Sequence, residues 1–95
     1  MQDVIVIQNQ FGTKAVHRFK VEGAHLTKDE LFEALNGVGP FHALRNRISL
    51  SMTSGDIIGI DGEWWLCESI GWSVIESWEA DMLIHYCLFG PWPKR

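Results

Sequence analysis

Four histidines, two cysteines and one serine-rich corner are the residues of this chain able to carry chemistry, and their spacing limits what each can do. His17, His25, His42 and His85 are scattered, and His85 lies two positions before Cys87. On a strand those two would share a face, but two ligands fall short of a zinc site. No metal and no cofactor are therefore expected. Serines, histidines and acids all occur, yet no G-x-S-x-G, H-E-x-x-H, C-x-x-C, G-x-G-x-x-G or Walker A pattern sets a nucleophile beside a base or a backbone around a phosphate. No catalytic residue is assigned, and the chain reads as a non-enzyme. One corner offers an alternative. Residues 51–56, SMTSGD, run from Ser51 to Asp56 shortly after Arg45 and Arg47, and two guanidiniums beside a serine-rich turn can grip a phosphate. That alternative is a small-ligand or nucleotide-binding module, or an enzyme built on the same corner.

Charge distribution says more than the net charge of −4. Residues 1–48 carry six Lys and Arg against five Asp and Glu, whereas residues 49–93 carry seven acids and no Lys or Arg. The acids are Asp56, Asp61, Glu63, Glu68, Glu76, Glu79 and Asp81. A one-sign segment repels nucleic acid and attracts a basic partner. Base stacking by the five tryptophans is disfavoured for the same reason, since the aromatic half is the acidic half. The length of 95 residues allows one domain, and 46% apolar against 21% charged residues is a globular balance. No apolar run approaches the roughly 20 residues of a membrane span, and residues 1–10 lack a signal-peptide pattern, so a cytoplasmic protein is expected. In that setting Cys67 and Cys87 are expected to be reduced.

The elements that must position these residues are legible in turn. Residues 3–8, DVIVIQ, and the alternating stretch KAVHRFKVEG read as two strands joined through NQFGT. Thr27 and Glu30 form a capping box for a helix over about 27–37, with Leu31, Phe32 and Leu35 as its apolar stripe and Asn36, Gly37 and Pro40 as its stop. Residues 41–56 show no clean period and read as an irregular connection. Asp61-Gly62 is a two-residue hairpin signal, because a type I′ turn needs positive φ at both central positions. That turn sets Ile60 opposite Glu63, Gly59 opposite Trp64 and Ile58 opposite Trp65. Ile58, Ile60 and Trp65 then share one face, Ile57, Trp64 and Leu66 the other, and both faces are apolar. Residues 71–78 add a further strand. A C-terminal helix over about 79–89 has an acidic start and a Gly-Pro stop, although MLIHYCLF also fits an interior strand. The fold class expected is α+β, an antiparallel sheet of four to five strands with these two helices. Trp64 faces Gly59 on the second apolar side, to be covered by a helix, a second copy or a foreign protein.

The run ELFEALN followed by SMTSGDIIGIDGEWWLCESIGW resembles the YodL-like domain of phage, plasmid and other mobile-element proteins, over about residues 27–76. Ser51, Gly55, Asp56, Ile57, Ile58, Ser69 and Gly71 match its pattern. Glu68 stands for an Asp, Trp72 for a Phe, and Trp64 and Trp65 for an aromatic pair. Met52, Thr53 and Ser54 depart from it. The resemblance implies no catalytic residue; it implies a mobile-element accessory protein, one that acts against host defences. Together with the acidic half, it leads to the expectation of an interaction protein that binds and inhibits a basic host protein, such as a nucleic-acid-binding, CRISPR-type defence effector. Trp64, Asp61, Glu63, Glu68, Glu76 and Glu79 are the expected partner-binding residues. A homodimer, as a structural accessory protein, is the other alternative.

Overall fold

A computed structural model describes residues 1–10 and 12–90; the tail PWPKR lies outside the described residues. β1 (Gln2–Gln10) and β2 (Thr13–Val21) pair antiparallel, with Gln2 opposite Val21 and Gln10 opposite Thr13. α1 (Lys28–Leu35) and a short 3₁₀ helix (His42–Arg47) follow, and then β3 (Ile57–Ile60), β4 (Glu63–Cys67), β5 (Trp72–Ile75) and α2 (Ser77–Phe89). The strands lie in the order β2-β1-β3-β4-β5 and every neighbouring pair is antiparallel. The fold is α+β, as the residue pattern implied.

β1 runs past both ends of DVIVIQ because its glutamines face inward and find partners. Gln2 Nε2 donates to Leu26 O at 2.7 Å while Gln2 Oε1 accepts from Leu26 N–H at 2.8 Å. Gln8 makes the same two-way pairing with Leu50, at 2.7 and 3.4 Å. Gln10 Nε2 donates to Ser51 O at 2.9 Å. Each amide thus acts as a side-chain extension of the sheet's backbone ladder, tying a loop over the face and leaving few buried polar groups unmatched.

One face of the sheet carries Val4, Val6, Phe19, Val21, Ile58 and Ile60, packed under Leu31 and Leu35 of α1 together with Leu26, Ile48 and Met52. α1 holds its expected limits. Thr27 Oγ1 accepts from Glu30 N–H at 3.2 Å and Glu30 Oε1 from Thr27 N–H at 3.0 Å, which closes the capping box. Asn36 caps the other end, and its Oδ1 accepts from Met52 N–H at 2.6 Å. The opposite face carries Ile7, Ile57 and Trp64 under Ala80 of α2, with Ile84 and Cys87 packed around them. The C-terminal element is a helix, and it begins at Ser77, ahead of the residue 79 expected from its acids. The reason is its cap: Glu76 stands at the N-cap, and Glu79 Oε1 accepts from Glu76 N–H at 3.3 Å.

Candidate functional site

The β3–β4 hairpin has the register that its turn dipeptide dictates, with Ile60 opposite Glu63, Gly59 opposite Trp64 and Ile58 opposite Trp65. Asp61 takes positive φ, 48°, and is bound to β1 on both sides: its N–H donates to Asp3 O at 3.0 Å and its Oδ1 accepts from Asp3 N–H at 2.8 Å. The short carboxylate of Asp suits this left-handed position and locks the turn onto the neighbouring strand.

Of the expected partner-binding residues, Trp64 requires a correction. It is 8% exposed, lies against Ala80 and Ile57, and covers Gly59, so it is a core side chain and not a surface anchor. α2 covers the second apolar face, and no outside partner is needed for it. Trp65 packs half-buried against the α1 core, with Lys28 Nζ 5.5 Å from its ring centre.

The acids divide by position. Ile75 pairs with Trp64, so Glu76 continues the β5 register beside Glu63 at one end of the sheet. Both residues line a shallow groove of about 260 Å³ together with Val74, Trp65 and Gly62. Val74 is 79% exposed, an apolar side chain held in the open beside two like charges. Glu79 is tied to this end through the cap, and Asp61 lies two residues before Glu63 in the turn. Glu68 is elsewhere: it follows the far end of β4, near Asp29 and Trp72, whose indole N–H donates to Asp29 Oδ1 at 2.8 Å. The tertiary structure therefore brings Glu63, Glu76 and Glu79 to one end of β4 and β5, turns the Asp61 carboxylate away to β1, and leaves Glu68 at the opposite end.

The alternative corner is a brace and not a cradle. Asp56 is fully buried, and its Oδ2 accepts from Thr53 N–H at 3.1 Å and from the side-chain amides of Gln8 and Gln10. Arg45 is occupied within its own loop, donating to Ile48 O at 3.1 Å and to Ser51 Oγ at 3.3 Å. Arg47 instead lines a separate groove of about 500 Å³ with Arg18, Lys20 and Phe41 beside β2. The two arginines do not meet at one phosphate-sized site.

Burial also favours the uncharged forms of Cys67, Cys87 and His17. The Cys67 thiol is pushed up by burial and then by the charge of Asp56, and Cys87 is pushed up by burial against the opposing pull of Lys14. Both are free and both stay protonated, which makes them poor nucleophiles. Burial lowers His17, and its Nε2 lies 3.3 Å from the Ser49 N–H, a geometry that suits a neutral ring accepting at Nε2. Among the described residues no group of three or more His, Cys, Asp or Glu gathers as metal ligands, and no helix is long and apolar enough to cross a membrane.

The residues that sequence reasoning missed lie on α2. Trp78 is 62% exposed and Phe89 75% exposed, with Met82 and Leu88 also in the open. The spacing 78, 82, 85, 89 marks one helical stripe, but it becomes visible only once the helix is known to begin at Ser77. In comparisons with known proteins, the chain matches no family model, no curated protein and no solved structure.

Proposed function

We propose that this protein is a non-enzymatic interaction module that docks the acidic end of its sheet against a basic surface of another protein. The observation that carries the reading is the groove lined by Glu63, Glu76 and exposed Val74, in a segment from residue 49 to 93 that holds no Lys or Arg. Two neighbouring carboxylates beside an exposed apolar side chain suit a Lys or Arg, whose alkyl stem packs on the valine while its charge meets the acids. In its concrete form the partner is a nucleic-acid-binding effector of a host defence system of the CRISPR type. The acidic end would inhibit it by occupying the surface that phosphates otherwise take. Direct nucleic-acid binding is no part of this proposal, because the same charges repel a phosphate backbone. The YodL-like resemblance of residues 27–76 extends the proposal to a mobile-element origin.

Titration against purified CRISPR-type effector nucleases at two salt concentrations tests the reading. Binding is expected to weaken with salt, mainly through its on-rate, and to fall at least about tenfold when Glu63 and Glu76 are both replaced by Lys. Binding that ignores salt and the charge reversal, or no binding at all, overturns it.

A further inference from the structure

We infer that α2 pairs antiparallel with α2 of a second copy of this chain, through the apolar stripe that it turns to solvent. Ala80, Ile84 and Cys87 face the sheet. On the opposite side, Trp78, Met82, His85 and Phe89 follow one another at spacings of four, three and four, which places them in one row along the helix. Trp78, Met82 and Phe89 are 62%, 44% and 75% exposed, and His85 stacks on Phe89 with ring centres 5.0 Å apart. A helix apolar on both sides normally buries both.

The charges beside the stripe select the occupant and its direction. Glu79 and Tyr86 are seven residues apart and share one flank, and Lys14 Nζ sits at Tyr86, 2.9 Å from its hydroxyl and 4.2 Å from its ring centre. The row is centred between Met82 and His85. A two-fold axis through that point sets Trp78 beside Phe89 of the second copy and keeps like flanks on the same side. Glu79 of each copy then meets Lys14 of the other, so the acidic start of α2 finds a cation twice over. A parallel pair, whose two-fold runs along the helices, would instead set this flank against the Asp81 and Leu88 flank of the other copy, so neither Glu79 would meet a cation. Thirteen residues make a helix about 20 Å long, so this contact is smaller than the roughly 800 Å² per partner of a standard interface. The dimer is therefore concentration-dependent. The acidic groove at Glu63 and Glu76 is no part of the contact.

Sedimentation over a concentration series, with circular dichroism on every variant, tests the pairing. The mass should rise from the 10.8 kDa monomer toward twice that value. Phe89→Asp should hold the chain at the monomer mass with an unchanged helical spectrum. Lys14→Glu should weaken the dimer by about tenfold, and adding Glu79→Lys should restore it. Glu63→Lys should leave it unchanged, which separates this contact from the acidic groove. A monomer at every concentration, which would leave the stripe to a foreign protein, overturns the inference. So does a dimer indifferent to both Phe89→Asp and the charge exchange.

Discussion

Asp56 concentrates the cost of holding this fold together in one carboxyl group. Three donors converge on its Oδ2, while Oδ1 has no hydrogen-bond partner among the described residues. Burial raises its proton affinity, and the hydrogen bonds from Thr53, Gln10 and Gln8 oppose that shift without cancelling it. The folded protein thus binds this proton more tightly than the unfolded chain does. The contribution of Asp56 to stability is complete below its unfolded value and is lost as pH rises through its folded value. Asp56→Asn, which cannot ionise, removes that dependence. Urea midpoints of the two proteins from pH 7 down to pH 4 should therefore move in favour of the wild type as pH falls; a constant difference would show that the carboxyl titrates normally. The serine-rich corner was visible in the sequence as a turn, but its buried amide partners come from residues more than 40 positions away. For that reason its role as a brace could not be read locally.

At the level of elements, the β3–β4 hairpin and the two helices were unequally legible. The hairpin register follows from Asp61-Gly62 alone, because a two-residue turn leaves the flanking strands one pairing. Gly59 then lies under the Trp64 indole, where an added Cβ would come within 2.6 Å of ring carbons. That indole is buried beneath α2 and has little room to retreat, so Gly59→Ala should cost about 1–3 kcal/mol in chemical denaturation. A loss below about 0.5 kcal/mol would show that the α2 core yields easily. α1 was legible from its capping box and single apolar stripe. The sidedness of α2 was not, since apolar residues all round the helix carry no period to distinguish the face on the sheet from the face in solvent. That ambiguity left a helix, a second copy and a foreign protein all able to cover Trp64, and it hid Trp78 as the exposed indole.

Across the whole molecule, the sheet ends in two strands of different character. β5 is four residues long, a poor template for further pairing, whereas β2 is nine residues long and open along one side. β2 carries Lys14, Arg18 and Lys20, charges that discourage another strand from adding to it. The Lys20–Asp3 ion pair, at 3.4 Å between exposed groups, adds little stability. Replacing Arg18 and Lys20 together by Thr should accordingly leave the melting temperature almost unchanged while raising turbidity on prolonged incubation at high concentration. A variant as clear as the wild type would show that the edge needs no guarding. The same distribution polarises the surface, with cations beside β2 and the acids Glu63 and Glu76 at the end of β4 and β5.

Sequence alone determined what short-range physics controls: the first hairpin, the limits of α1, the register of β3 on β4, the α+β class and the absence of cations from residues 49 to 93. Each depends on residues a few positions apart, where φ preference, capping and side-chain alternation act directly. Only the tertiary structure decided that β3 enters beside β1, that α2 and not an outside partner covers Trp64, and that Glu63 joins Glu76 while Glu68 lies apart. Those outcomes depend on which apolar surfaces meet over long chain separations. The hydrophobic effect that drives such meetings has no direction of its own, so their pairing is set only when the whole core packs.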